Sequence, residues 1–300
     1  MHWQERKSSN ESWRQSKGQV ENRSLPEKRM KVSELSEPKN TILKIGGSVI
    51  TDKKGELAAR TQVIDRLASE IKKANPRNLI VVHGGGSFGH PTAQEYAIKD
   101  GLKNSSQIIG FAQTHHLMTV LNGLVMDSLI VHEVPAVSVT ASSCVTTENG
   151  RINHFEDAAL KMLLKIGVMP VLYGDAVLDS ELGFTIVSGD QLVSTLAARL
   201  NVERIIMGVD VDGLFDADPK NEKSAKIFTH LTLSEVKRIQ STIDKPTSND
   251  VTGGMFGKIA ELLPVVEKGI PVLIANATKP NLVYRVLRGE KVEGTLIEKE

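Results

Sequence analysis

Short apolar runs alternate with amphipathic segments from Thr41 to the end of the chain. The runs are three to five residues long, a length typical of buried strands. They predict strands over Thr41–Ile45, Leu79–Val82, Ala136–Val139, Pro170–Leu172, Arg204–Met207 and Pro271–Ala275. Because strands that alternate with helices form parallel sheets covered by helices, the pattern predicts an α/β fold with a largely parallel sheet.

Segments between these strands repeat apolar residues at intervals of three and four, which places them on one face of a helix. Three such sets are Ile64, Leu67, Ala68 and Ile71; Leu192, Val193, Leu196, Ala197 and Leu200; and Ile259, Leu262, Leu263 and Val266. We expect each set to face the core. A region of about 260 residues exceeds the usual size of one core, so we expect two lobes with a boundary near Ser180–Ile186.

Residues 1–40 differ in composition from the rest of the chain. They contain nine Lys or Arg, six Asp or Glu, and few aliphatic residues without helical or strand spacing. Segments that cannot bury enough apolar surface remain disordered. We therefore predict a disordered N-terminal extension without chemistry, followed by a folded domain over residues 41–300.

The 300 residues carry 37 basic and 36 acidic side chains, a formal net charge of +1. This balance gives no general electrostatic reason to bind nucleic acid or an anionic membrane. No apolar run approaches the roughly 20 residues needed to cross a bilayer, and the N-terminus lacks the apolar core of a secretory signal, so we expect a cytoplasmic protein. The single cysteine, Cys144, has no neighbouring metal ligands and is expected to be a buried apolar side chain.

Glycine clusters follow four of the apolar runs. They are Gly46-Gly47-Ser48, the run from Gly84-Gly85-Gly86 to Gly89-His90, Gly174-Asp175, and Asp210-Val211-Asp212-Gly213. Glycine lets backbone N–H groups come close to an anion, and a following helix N-terminus adds partial positive charge. Because ligands bind at the carboxyl ends of strands in open α/β sheets, the clusters predict a phosphate site there.

Two common nucleotide motifs are excluded. Gly84, Gly86 and Gly89 satisfy G-x-G-x-x-G, but a dinucleotide site also needs an acidic residue about 20 positions further on. No Asp or Glu occurs from Gly101 to Met126. Gly257-Lys258 is similar to the end of a P-loop, yet Thr252 and Ile259 stand where that motif needs Gly and Ser or Thr.

Five separated motifs together resemble the amino acid kinase family. They are Leu43-Lys44-Ile45-Gly46-Gly47-Ser48, the His-Gly-Gly-Gly run from His83, Ser188-Gly189-Asp190, Asp210-Val211-Asp212-Gly213, and Thr252-Gly253-Gly254-Met255 with Lys258. The resemblance covers about residues 41–300. It implies a three-layer αβα sandwich with a mainly parallel central sheet. It also implies an acceptor-binding lobe over about residues 41–180 and an ATP-binding lobe over about 181–300.

The resemblance implies a role for each site residue in phosphoryl transfer. Catalysis is expected from Lys44, Lys53, His90 and Asp190, with Lys258 as a further contact to the phosphates, because phosphoryl transfer needs concentrated positive charge. Asp190 and Asp175 would orient the lysines, although Asp190 could instead cap a helix that begins at Gln191. ATP-binding residues are expected to be Lys44, Gly46, Gly47, Ser48, Gly86, Asp210, Gly213, Gly254 and Lys258.

The acceptor is expected to bind at Gly85, Gly89, His90 and Gly174. His90 and the Thr51-Asp52-Lys53 triplet make the chain most similar to the subgroup that phosphorylates isopentenyl phosphate. The apolar tail would lie along the region from Tyr96 through Phe111, His115 and Met118 to Val120. By resemblance we expect ATP with Mg²⁺ and a homodimer. We expect no direct metal ligand from the protein, although Asp190 or Asp175 could reach the Mg²⁺ through water.

Other functions remain open at this point. The same residues suit a kinase that acts on a fosfomycin-type phosphonate, a nucleoside monophosphate or an amino acid, although His90 argues against carboxylate acceptors. A regulatory ATP-binding protein without activity is a third class. A nucleic-acid or membrane role for the basic N-terminal segment is disfavoured by its interspersed acidic residues.

Overall fold

The computed structural model describes residues 39–52, 55, 57–217, 222, 224–243 and 253–300. Residues 1–38 of the predicted extension lie outside these ranges. The described residues form one compact unit, and the division into two lobes stays a prediction. Among the described residues, no helix is both long and apolar enough to cross a membrane.

Fourteen strands occur in the described ranges. In chain order they are β1 (Asn40–Ile45), β2 (Leu79–His83), β3 (Ala136–Ser138), β4 (Val145–Glu148), β5 (Arg151–Phe155), β6 (Met169–Tyr173), β7 (Asp175–Asp179), β8 (Gly183–Val187), β9 (Val202–Val209), β10 (Leu214–Phe215), β11 (Ile227–Phe228), β12 (His230–Thr232), β13 (Val272–Asn276) and β14 (Thr295–Glu298). All six predicted strands are confirmed, with ends that shift by one or two residues.

The α-helices of the described residues number eleven. They are α1 (Gly47–Ile50), α2 (Thr61–Ala74), α3 (Gly86–Glu95), α4 (Ser106–Val131), α5 (Ala141–Cys144), α6 (Ala158–Lys165), α7 (Gly189–Arg199), α8 (Leu233–Ile243), α9 (Gly253–Ala260), α10 (Leu263–Glu267) and α11 (Leu282–Leu287). The apolar set from Ile259 to Val266 spans two helices, because α10 starts anew with Pro264 in its first turn.

Eight strands form the central sheet in the order β12-β14-β13-β9-β1-β2-β6-β3. Every neighbouring pair is parallel except β13 and β14, which are antiparallel. The predicted α/β fold with a mainly parallel sheet is therefore confirmed. The order places β1 between β2 and β9, so loops that follow these three strands lie side by side.

Helices cover both faces of this sheet, because strand side chains alternate between the faces. In β1, Ile42 belongs to one buried cluster together with Leu192 of α7. Its neighbour Leu43 belongs to a second cluster together with Leu67 of α2 and Leu121 of α4. These two apolar layers on either side of the sheet give the three-layer αβα sandwich.

A second sheet has the strand order β5-β4-β7-β8. None of the apolar runs listed above falls on these strands, and no other sequence pattern predicted them. The predicted lobe boundary, Ser180–Ile186, falls on the turn and second strand of the β7–β8 hairpin. Gln191 joins this sheet to α7, which packs on the central sheet. Its side chain accepts from Ile152 N at 3.1 Å and donates to Gly150 O at 3.2 Å.

Candidate active site

Lys44 lies near the carboxyl end of β1 and is only 3% exposed. Strand alternation places its side chain on the same face as Ile42, towards α7. There the Nζ atom of Lys44 lies 2.8 Å from Oδ1 of Asp190. The predicted pairing of a lysine with Asp190 is thus present, and it follows directly from the register of β1 under α7.

The lysine and the carboxylate form an ion pair that lines the cavity described below. Asp190 does not cap the helix. Helix α7 begins at Gly189, and the cap is Ser188, whose Oγ accepts from Gln191 N at 3.1 Å. Asp190 therefore lies within the first turn, where the helix dipole also favours its negative charge.

Two glycine loops meet at the ends of β1 and β2. Gly84 N donates to Ile45 O at 2.9 Å, which joins the loops at their bases. A Cβ atom on Gly47 would lie 2.3 Å from Gly86 N, and Gly86 itself has a φ of +49°. No other residue type fits this close approach of the two backbones, so glycine at these positions is a steric requirement.

A cavity of about 680 Å³ opens at this edge of the sheet. Eleven of the residues predicted to act in catalysis, ATP binding or acceptor binding line it: Lys44, Gly47, Ser48, Gly85, Gly86, Gly89, His90, Gly174, Asp190, Asp210 and Lys258. Ala93, Met118 and Ile186 add apolar surface to its lining. The cavity therefore combines cations and backbone N–H groups, which suit phosphates, with an apolar portion.

The remaining predicted residues have other positions. Gly46 donates its N–H to Gly208 O at 2.8 Å between β1 and β9. Gly213 packs against Thr295 and Ile227. Gly254 lies in α9. Lys53 lies outside the described residues, so its predicted catalytic role stays a prediction.

Asp175 does line the cavity, but its partner is a histidine rather than the predicted lysine. Its Oδ2 and Oδ1 atoms lie 3.0 and 3.1 Å from Nδ1 of His115 on α4, and its side chain is fully buried. Burial raises the pKa of Asp175, and the attraction to His115 opposes that rise. The pair fastens α4 to the junction of β6 and β7.

Asp212 contacts residues that sequence reasoning missed. Its Oδ1 lies 2.6 Å from Nζ of Lys279 and accepts from Nδ2 of Asn276 at 2.9 Å. The hydrogen bond with Lys279 lowers the pKa of Asp212. Both partners lie at or beyond the end of the predicted strand β13, so the rule that ligands lie at the carboxyl ends of strands could have indicated them.

The carboxylates near the cavity are not grouped as the ligands of a metal ion held by the protein alone. Across the described ranges no group of three or more His, Cys, Asp or Glu side chains could hold a metal ion. Asp190 and Asp175 are each engaged with a cationic or titratable partner, as given above. This donor set fits a Mg²⁺ ion that keeps most of its ligands from substrate phosphates and water, with one or two carboxylates at most.

The αβα sandwich with glycine loops and buried lysine at the carboxyl ends of β1, β2 and β9 defines a small-molecule phosphotransferase fold. A family model described as "Amino acid kinase family" matches residues 39–276. The chain belongs to this family.

Comparison with individual proteins shows which members of the family this chain is similar to. An isopentenyl phosphate kinase from Methanothermobacter thermautotrophicus is 42% identical and covers 85% of this chain and 98% of its own length. Another from Arabidopsis thaliana is 32% identical over 75% of this chain and 70% of its own. A crystal structure of an isopentenyl phosphate kinase, 40% identical, superposes with a TM-score of 0.76 over 86% of this chain and 99% of that chain.

Proposed function

We propose that this protein transfers the terminal phosphoryl group of ATP to isopentenyl phosphate and forms isopentenyl diphosphate. The observation that carries the proposal is the cavity itself, where Lys44, Lys258, His90 and two glycine loops surround one space. The similarity of the chain to isopentenyl phosphate kinases over most of its length supports the choice of acceptor.

The reaction needs no general base. An oxygen of the acceptor phosphate attacks the terminal phosphorus of ATP, and the bond from that phosphorus to the bridging oxygen breaks as ADP leaves. The attacking oxygen is already anionic, so the protein has to bring two polyanions together and stabilise the charge between them. Lys44 suits this task because Asp190 holds its ammonium group in a buried and fixed position.

The walls of the cavity suggest how the two substrates divide it. His90, Gly85 and Gly89 belong to the loop after β2 and the start of α3, which we assign to the acceptor phosphate. Ala93, Met118 and Ile186 line the same cavity and would pack against the five-carbon tail. Asp210, which follows β9, and Lys258 line the same cavity and would border ATP and its Mg²⁺.

We further propose a homodimer that forms at the β3 edge of the central sheet. β3 is the terminal strand in that order, and Val137 on it is 41% exposed. Elements next to this edge expose further apolar side chains, namely Ile130, Val131, Met162 and Ile166. A second copy that covers them would remove both an unpaired strand edge and apolar surface from water.

The test of the proposed reaction is magnesium-dependent ADP release with isopentenyl phosphate, fosfomycin, UMP and glutamate as parallel acceptors. Phosphorus NMR identifies the product. We expect a new diphosphate signal with isopentenyl phosphate and at least about 100-fold lower turnover with the other three. Preference for fosfomycin or UMP would overturn the acceptor but keep the phosphotransferase, and silence with all four would favour a regulatory ATP-binding protein.

A further inference from the structure

His83 ends β2 directly below the glycine loop and is fully buried. The four residues before it in the strand, Leu79 to Val82, are apolar. Alternation places His83 on the face of Val81, towards α4. A polar ring at this depth requires hydrogen-bond partners, because an unpaired buried polar group costs free energy.

The ring has three close neighbours. Nδ1 lies 3.1 Å from the carbonyl oxygen of Gly84, and Nε2 lies 3.3 Å from the side-chain oxygen of Asn122 on α4. Tyr173 of β6 stacks on the ring at a centroid distance of 5.3 Å and an interplanar angle of 20°. Gly84, Asn122 and Tyr173 are all uncharged at neutral pH.

These contacts decide where the proton lies. A carbonyl oxygen only accepts, so Nδ1 must carry a hydrogen. Burial lowers the pKa of His83, and its hydrogen bonds to Gly84 and Asn122 oppose that shift only in part. The ring is therefore neutral, and Nε2 is an acceptor that needs a donor.

Asn122 supplies that donor when its amide is turned by 180°, an exchange of oxygen and nitrogen that needs no extra space. Before this turn, the amide nitrogen of Asn122 donates to Oγ of Ser138 at 2.7 Å. After it, the amide oxygen faces Ser138, whose hydroxyl can donate to that oxygen as readily as it accepted from the nitrogen. The hydrogen bonds then run in one direction, from Ser138 to Asn122, from Asn122 to His83, and from His83 to the Gly84 carbonyl.

We propose that His83 is a positioning residue for the acceptor loop, held by Asn122 as the tautomer protonated at Nδ1 so that it fixes the Gly84 carbonyl. This inference rests on the proposed function, since it assigns the loop to the acceptor phosphate. Three consecutive glycines, Gly84 to Gly86, have no side chains that restrict the backbone, so the direction of their peptide groups has to be fixed by other residues. Because the peptide is planar, holding the Gly84 carbonyl also fixes the direction of the Gly85 N–H at the cavity.

Two substitutions separate this role from a merely structural one. The amide nitrogen of asparagine can occupy the place of Nδ1, whereas that of glutamine can reach only the place of Nε2. We expect His83→Gln to raise the KM for isopentenyl phosphate about tenfold, as for the loss of one buried hydrogen bond, with the KM for ATP changed less than about twofold. His83→Asn should stay within about threefold of the unmodified protein in both constants.

His154→Gln, at an exposed histidine on β5, is the matched control and should change neither constant. Thermal unfolding of each variant shows whether it is folded. Equal impairment of the asparagine and glutamine variants, or normal kinetics in both, would overturn the positioning role.

The tautomer is measured on the full-length protein labelled with ¹⁵N-histidine, by long-range nitrogen–proton correlation spectra, with His83→Asn for assignment. A protonated Nδ1 and an unprotonated Nε2 are expected for His83. Two protonated nitrogens, or a proton on Nε2 alone, would overturn the proposal. If the unmodified protein shows no turnover with isopentenyl phosphate, the proposed function fails, and these spectra still decide the state of His83.

Discussion

Lys44 and Asp190 place opposite charges in a buried wall, and neither charge is stable there alone. Removing one partner of a buried ion pair costs about 3 to 5 kcal/mol, because the other remains as an uncompensated charge. We expect Lys44→Met and Asp190→Asn each to lower the free energy of unfolding by about 3 kcal/mol. Lys44→Met should also reduce turnover at least about 100-fold through the loss of a charge aimed at the phosphates.

The double variant separates the two effects. Lys44→Met with Asp190→Asn should regain most of the stability, measured by urea unfolding, without any recovery of turnover. Recovery of activity in the double variant would contradict the catalytic role of Lys44, and additive losses of stability would contradict the pairing.

The predicted catalytic role of Lys53 can be tested against its neighbour Lys54. Only Lys53 is assigned a contact with the phosphates, by family resemblance. We expect Lys53→Ala to lower kcat about 100-fold or more, with Lys54→Ala within about twofold of the unmodified protein. Similar kinetics in the two variants would remove Lys53 from the site.

At the residue scale, the sequence predicted those site residues whose place in the fold follows from the strands alone. Lys44 and the glycines stand at strand ends, and strand ends are readable from apolar runs. The partner of Asp175 was not predictable in the same way. His115 lies 60 residues away along the chain, on a helix whose rotation about its axis is set by packing against the sheet.

At the scale of elements, the contact between the loops after β1 and β2 is the most sterically demanding part of the site. Gly47→Ala would place a Cβ atom 2.3 Å from Gly86 N, which forces the two backbones apart. We expect turnover to fall at least about tenfold and the protein to lose about 1 to 3 kcal/mol of stability, as for overpacking in a core.

Gly123→Ala in α4 is the control for that substitution. No atom lies within 4 Å of the added Cβ there, and alanine suits a helix interior better than glycine by about 0.5 to 1 kcal/mol. This variant should be stabilised in thermal unfolding and keep full activity. Loss of activity in both glycine variants would contradict the steric argument.

Asp179 holds the small sheet together at its two hairpin turns. Its carboxylate accepts from the backbone N–H groups of Asn149, Gly150, Glu181 and Leu182, at 2.8 to 3.2 Å. Burial alone would raise the pKa of Asp179, but the hydrogen bonds, led by those from Leu182 and Gly150, outweigh it and hold the pKa at about 2. The ionised form is therefore stabilised by folding.

We expect Asp179→Asn to cost about 2 kcal/mol at pH 7, as for hydrogen bonds to a charged group. A depressed pKa stabilises the fold above the unfolded value of about 3.9, and the benefit is lost as the pH falls through about 2. The difference between the two proteins in urea unfolding should thus shrink below about pH 4. A difference that stays constant down to pH 2 would contradict the argument.

The elements differ in how readily the sequence predicts them. Central strands such as β1 and β2 are buried on both faces and appear as continuous apolar runs. β4 and β5 are four and five residues long, with several exposed polar positions. The pairing of β4 with β7 joins two hairpins, and it depends on tertiary contacts such as those of Asp179. The second sheet was missed for this reason.

At the scale of the whole molecule, the proposed dimer predicts a mass of two chains in light scattering. Val131→Glu combined with Val137→Glu would bury two charges at the β3 edge and should give a single-chain mass. Leu178→Glu changes an equally apolar side chain that is 57% exposed on the small sheet, and it should leave the dimer intact. A monomeric unmodified protein would exclude the homodimer.

The side chains of β1 alternate between the two faces of the sheet, and this has a consequence for any preparation of the protein. A pairing of β1 that slips by one residue would move Lys44 from the side of Asp190 into the apolar layer of Leu67 and Leu121. Such a molecule would have lost both a core position and the lysine to which we assign catalysis. Specific activity therefore counts the molecules that folded in the correct register, and an enzyme assay doubles as a measure of folding fidelity.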